Sequence, residues 1–272
     1  MNPNRAFNPP AAVNPTKPMS PARATAPPRA RLRTAIAVEA AKLQRSLALL
    51  LALVAPALIA VFVFFNLLRL QTAPEWDITL KGAAAIWAFF MLPMSVTALT
   101  ALLAQTEHSV RSWDYLRALP LPRWHLYAAK AVSVLAVVAA MSLALAALTL
   151  PAIYGASWIK PAIAPTGSVD IAGFLWLLTR IYLAAWLLIA IQLWIALRYA
   201  SFVPALATGI GGTFFAVVAT SAQIGQILPW QIPVNQLAAD PARAQIALAI
   251  GLFGGVLMLA LMLWRLGRRE WV

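Results

Sequence analysis

The sequence predicts an all-α integral membrane protein with six transmembrane helices, a cytosolic N-terminal interfacial helix and a second cytosolic helix between spans two and three. Three observations predict it. Of 272 residues, 62% are hydrophobic and only 11% charged, against roughly 45–50% apolar and about 25% charged in an ordinary soluble domain. Six segments, about 47–68, 82–104, 131–153, 171–197, 202–222 and 244–264, each reach the roughly 20 apolar residues that a helix needs to cross the hydrocarbon core. The 21 Lys and Arg, against 8 Asp and Glu, lie almost entirely outside those segments, on the little polar surface that remains.

Residues 1–32 form the first unit, a disordered Pro- and Arg-rich cytosolic tail. The stretch to about residue 30 holds eight of the twenty prolines and has no apolar period at 3.6 or 2 residues, so it cannot bury enough surface to order itself. It also lacks the apolar core and small-residue cleavage site of a secretory signal. A solvated extension is preferred over a transit peptide or an acidic-lipid binder, because no amphipathic pattern is present. The second unit, 33–272, holds the spans. It begins with Arg33 to Ser46, where Ile36, Ala40, Leu43 and Leu47 share one helical face and Glu39, Lys42 and Arg45 point away from it; such a helix lies along the membrane surface before the chain turns inward.

Pro56, Pro93 and Pro204 fall inside spans, where neighbouring helices or Ser/Thr groups re-satisfy the freed carbonyl, and kinks are expected there. The fourth segment is too long for an untilted span and carries Arg180. Its first turns are therefore placed at the interface, with the core span beginning near Thr179 and Arg180 snorkelling to the headgroups.

Orientation follows from the basic residues. Sixteen fall on one side of an even-span topology: eight in 1–46, four in 105–130, Arg198, and Arg265, Arg268 and Arg269. Arg69, Lys81, Lys160, Arg180 and Arg243 fall on the other. Both termini are expected in the cytosol. The acidic residues divide evenly, with Glu39, Glu107, Asp114 and Glu270 inside and Glu75, Asp77, Asp170 and Asp240 outside, none in mid-span. An ion-coupled carrier places ionisable groups at the midplane and shows paired broken helices; neither is evident.

Several chemistries are also disfavoured. There is no cysteine, hence no disulfide framework, thiolate metal site or Cys nucleophile. His108 and His125 have no acidic cluster nearby to complete a metal site. Ser95, Ser133, Ser142, Ser201 and Ser221 lack a His or carboxylate at membrane depth, so an intramembrane protease or lipid-modifying transferase has no activated nucleophile. No catalytic, cofactor or metal site is expected on this chain. The Gly cluster Gly209, Gly211 and Gly212 lies in the fifth span without the lysine of a phosphate-binding loop. Small residues there permit close helix approach, and Gly209, Gly212 and Ala216, near one face, are the expected dimer-packing stripe.

The loop 105–130 carries the most information. From 107 to 119 it reads as an amphipathic helix, with Val110, Trp113, Leu116 and Leu119 on one stripe and Glu107 four residues before Arg111. Pro120 and Pro122 stop it, and a new helix begins at Arg123 to Lys130 and runs into span three. An interfacial anchor and a docking element for a cytosolic partner are both compatible with this pattern, and composition does not choose between them.

The string Glu107, Trp113-Asp-Tyr-Leu116, Leu119-Pro120-Leu-Pro-Arg123, Ala129-Lys130 resembles the signature of type-2 ABC-transporter permeases. In these an acidic residue after span two is followed by a leucine, a leucine-proline turn ending in arginine, and an alanine-lysine entering span three. Leu228-Pro229-Trp230-Gln231-Ile232-Pro233 resembles the external proline-tryptophan turn of the lantibiotic-immunity and bacteriocin-export subgroup. The Pro-rich tail departs from the family pattern.

The resemblance implies a six-span permease subunit of the bacterial plasma (inner) membrane, exporting an amphipathic or lipophilic substrate. It works as a homodimer or a heterodimer with a paralogous permease, in contact with membrane lipid and no nucleic acid. It binds two copies of a separate ABC ATPase, which carries the ATP and Mg, through the N-terminal helix and the loop. The resemblance makes 107–119 a coupling helix, with Glu107, Arg111, Trp113, Asp114, Leu116, Arg117, Pro120, Arg123 and Lys130 as the ATPase-coupling residues. A non-transporting membrane anchor is the alternative.

Overall fold

The computed structural model describes residues 32–44, 46–108, 123–218, 225 and 227–268. The described residues are overwhelmingly helical. In chain order they form α1 (Leu32–Gln44), α2 (Leu47–Arg69), α3 (Trp76–Ile86), a π-turn (Trp87–Met91), α4 (Leu92–His108), α5 (Arg123–Ile159), α6 (Ile171–Ala184), α7 (Trp186–Arg198), α8 (Val203–Val218) and α9 (Pro241–Arg268). Short 3₁₀ turns occupy Pro161–Ile163 and Val234–Leu237.

α2 packs along α5 and α9 along α7, while α4 lies against both α7 and α8. The core is built largely from Ala, Leu, Val and Ile, with Trp87 wholly buried at its centre. The outer surface is just as apolar: Leu50, Leu53, Leu58, Phe62 and Phe65 all project from α2 without covering neighbours. Apolar residues exposed along a whole helix require an apolar solvent, which is the bilayer.

Four helical stretches are long and apolar enough to cross a membrane: Leu47–Arg69, Trp76–Gln105, Trp124–Ile159 and Pro241–Arg268. A fifth crossing is supplied if α6 and α7, bent by 41° at Ala185, are one span. The described part of the expected fifth segment, α8, has 16 residues, about 24 Å of helix against a hydrocarbon core of roughly 30 Å. The described residues thus hold four to five crossings where the sequence predicts six.

The prolines behave differently from one another. Pro56 lies within α2. Pro93 follows the π-turn Trp87–Met91, a local widening of the helix that absorbs the missing donor, and one turn on Thr97 Oγ1 donates back to the Pro93 carbonyl at 2.8 Å. Pro204 does not kink a span. It sits in the first turn of α8, where its N–H would have no intrahelical partner in any case.

The break at Ala185 has no proline or glycine of its own. It is accommodated across the interface on α9, where Gly251 abuts the Ala184 backbone and Gly255 abuts Trp186. Spaced four residues apart, the two glycines let α9 seat against the bent backbone closely enough that a β-carbon at either would collide with it.

At the end of the bundle away from α1, the loops are tied together. Lys160 Nζ donates to the Leu70 carbonyl at 2.6 Å, capping the C-terminus of α2, and Thr166 exchanges backbone hydrogen bonds with Pro74 and Trp76. Asp170 caps α6 by accepting from the Gly173 N–H at 2.8 Å.

Candidate functional site

α1 is held to the bundle chiefly through α5. Its buried face consists of Ala35 and Glu39, with Ile36 and Leu43 half-covered, whereas Ala40 is exposed. The sequence-based expectation placed Ala40 on the packed face and turned Glu39 away; the structure rotates the helix so that Glu39 points inward. The reason is Lys130, which is 0% exposed and two turns into α5. Its Nζ donates to both carboxylate oxygens of Glu39 at 3.1 Å. Lys42 adds a third contact to the same carboxylate at 3.2 Å. A buried carboxylate is tolerated only when paired and hydrogen-bonded, and these two lysines supply that pairing.

Lys130 is the one proposed coupling residue whose side chain the structure places. Glu107 lies in the last turn of α4 and Arg123 opens α5, so the two ends of the expected coupling segment both emerge from helices. The side chains of Glu107 and Arg123 lie outside the described residues, as do Arg111, Trp113, Asp114, Leu116, Arg117 and Pro120 entirely. The expected run of a new helix from Arg123 into span three is present: α5 is continuous from Arg123 to Ile159. Beside Glu39, between α1, the start of α2 and the end of α4, lies a cavity of about 280 Å³ lined in part by Lys42, Ser46, Leu102 and Leu103.

Gly209, Gly212 and Ala216 do lie on one face of α8, all buried or half-buried. That face meets its own subunit. Gly209 abuts Thr97 of α4, Gly212 lies under the ring of Trp230, and the Ala216 carbonyl accepts from Gln231 Nε2 at 2.9 Å. With its amide oriented to suit its surroundings, the buried Gln192 of α7 donates to the Ala205 carbonyl at 3.2 Å and accepts from the Gly209 N–H at 3.0 Å. The close approach that the small residues permit is used within the chain.

Sequence reasoning missed a polar set around the segment 228–237. Asn235 Nδ2 donates to the Gly225 carbonyl at 3.1 Å, and Arg243 Nε donates to Asn235 Oδ1 at 2.9 Å. Gln236 Nε2 donates to the Ala244 carbonyl at 3.1 Å, and its Oε1 accepts from Arg180 Nε at 3.1 Å. Arg180 is thus half-buried against the segment before α9, and does not simply snorkel. The available signal was the run of amides at Gln231, Asn235 and Gln236, since uncharged amides in an apolar chain must find backbone partners.

On the same end, a cavity of about 330 Å³ opens between α3 and α6. Arg180, Lys81, Asp77 and Asp170 contribute its charges; Leu80, Phe174, Trp176 and Leu177 form its apolar walls. Among the described residues no group of three or more His, Asp or Glu is placed to hold a metal ion, and Ser142 and Ser157 spend their hydroxyls on helix carbonyls four residues back.

The family model of the ABC-2 family transporter proteins matches residues 35–219, from the first turn of α1 to the residue after α8. The comparison with curated proteins finds no match.

Proposed function

Since the chain belongs to the ABC-2 family of transporter proteins, a multi-pass membrane component of an ABC transporter, we propose that it is the permease subunit of an ATP-driven exporter. A separate ATPase subunit, bound as two copies to a permease dimer, supplies the energy. The cargo is an amphipathic or lipophilic molecule, since the spans offer no ionisable group at mid-membrane to bind a small ion. Both termini, α1 and the 109–122 segment face the cytosol of a bacterial inner membrane. The six-span topology is completed by α6 and α7 as one bent crossing and by α8 together with the residues that follow it.

The observation that carries this reading is the Glu39–Lys130 pair. It joins the membrane-surface helix to the first turns of the long helix that follows the 109–122 segment. Because a buried ion pair is costly to open, α1 and the start of α5 move together. A displacement imposed on 107–123 by an ATPase is then delivered to a 37-residue helix that reaches the far end of the bundle, and is not lost in a loose hinge.

The test is co-purification of the full chain with its ATPase, followed by reconstitution. ATP-dependent movement of a fluorescent amphiphile, dependent on both subunits, is the expected result. A chain that binds no ATPase and supports no transport is a membrane anchor, and the proposal fails.

A further inference from the structure

We propose that the cavity between α3 and α6 binds the headgroup of a phospholipid, with the phosphate on Arg180 and the lipid's ammonium toward Asp77 and Asp170. Depth gives the first argument. Arg180 and Arg198 are the only charges on α6 and α7, and the 18 residues between their positions correspond to about 27 Å of helix, close to the roughly 30 Å of hydrocarbon thickness. Read as one bent span, α6 and α7 set Arg180 at the level of lipid phosphates. Trp176, one turn further out and 62% exposed, is the side chain expected at that interface.

Chemistry gives the second argument. A guanidinium has five N–H donors in a fixed fork, and among the described residues Arg180 donates only through Nε, to the neutral Gln236. Neither of the cavity's acids pairs with Arg180: Asp77 meets Lys81 through one oxygen at 2.8 Å and Asp170 caps α6 through one oxygen, so each keeps its second oxygen for an ammonium. The remaining donors suit a two-pronged anionic oxygen group such as a phosphate. With two acidic and two basic residues the cavity is formally neutral, which favours a zwitterionic head over a multiply charged one, and its 330 Å³ lies in the small-molecule range. Apolar walls at Leu80, Phe174 and Leu177 accommodate the start of an acyl chain.

As a binding site this requires only the present chain; as a stage in export it rests on the transport reading. The experiment therefore contains no ATPase, so that loss of either conclusion is distinguishable from loss of the other. Full-length protein in a non-ionic detergent is titrated by native mass spectrometry with lysophosphatidylethanolamine, with phosphoethanolamine (head without chain), and with a monoacylglycerol (chain without phosphate).

Tight one-to-one binding of the lysolipid alone is expected, weakened at least tenfold by Arg180→Gln and less by Arg180→Lys. Leu177→Trp, which fills the cavity and leaves the Arg180–Gln236 bond in place, is expected to abolish it, and decides the matter if Arg180→Gln does not assemble. Unchanged binding in Arg180→Gln or Leu177→Trp overturns the site. Phosphoethanolamine binding as tightly as the lysolipid overturns the lipid assignment in favour of a soluble phosphate, and equal binding of the monoacylglycerol reduces the site to an apolar groove.

Discussion

Glu39 and Lys130, 91 residues apart in sequence, form a buried ion pair in which one ammonium reaches both carboxylate oxygens at 3.1 Å. Removing either partner breaks this buried pair, which costs up to about 3–5 kcal/mol, with Lys42 still in contact with Glu39 when Lys130 is lost. Glu39→Gln retains a hydrogen-bond acceptor and is expected to be milder than Lys130→Met. Replacing both residues with Met removes both desolvation penalties and is expected to recover most of the loss. Thermal unfolding of the purified protein measures all three; equal stability of Lys130→Met and the parent would show that the pair does not hold α1 in place.

The seat of α9 on the bent α6–α7 backbone gives a sharper contrast. Gly251→Leu and Gly255→Leu place a side chain into the Ala184 and Trp186 backbone, which cannot yield as a flexible side chain would. Both are expected to abolish stable assembly. Gly82 in α3 has open space around its β-carbon position, so Gly82→Ala is expected to raise stability by about 0.5–1 kcal/mol through helix propensity alone. Gly212→Leu must displace the Trp230 ring, and is expected to disturb the fold of the single subunit before any effect on dimerisation. Size-exclusion profiles and melting temperatures of the four variants read this out.

These relationships mark where the sequence was legible. Apolar runs located α2, the α3–α4 stretch, α5 and α9 because hydrophobic length is a property of the local chain. The leucine-proline turn and Lys130 were visible as a motif. The partner of Lys130 was not: a helical wheel assigns Glu39 to the polar face by its charge, and only a lysine from a distant helix reverses that. The bend at Ala185 was equally hidden, because the residues there are ordinary helix formers and the glycines that accommodate it lie on α9. Arg180 was read as a snorkelling charge for the same reason, since Gln236, its acceptor, is 56 residues away.

Topology is testable without background, because the chain has no cysteine. Ser168 lies in the tied loops at the end of the bundle opposite α1 and lines the cavity there; Ser112 lies in the 105–130 segment, outside the described residues. With both termini in the cytosol, Ser168→Cys is expected to react with a membrane-impermeant maleimide in intact cells and Ser112→Cys only after permeabilisation. The reverse pattern would invert the molecule and remove the proposed ATPase-facing role of 107–123.

That role makes the last prediction. The segment between Glu107 and Arg123 joins the end of α4 to the start of α5, and its sequence carries Pro120 and Pro122 just before α5, a pair whose fixed φ is expected to leave little freedom for a hinge. On the proposed coupling role, a push on the segment is expected to tilt α5 and, through the Glu39–Lys130 pair, to carry α1 with it. Glu107→Lys lies beyond the apolar part of α4, so insertion into the membrane should be unaffected. Docking of the ATPase, or the number of ATP molecules hydrolysed per substrate moved, should change severalfold. Glu75→Lys, a matched reversal at the start of α3 on the opposite end, controls for charge alone. ATPase activity and transport in reconstituted complexes separate the two outcomes: a defect confined to Glu107→Lys supports coupling through this segment, and equal, negligible effects at both positions would reduce it to an interfacial anchor.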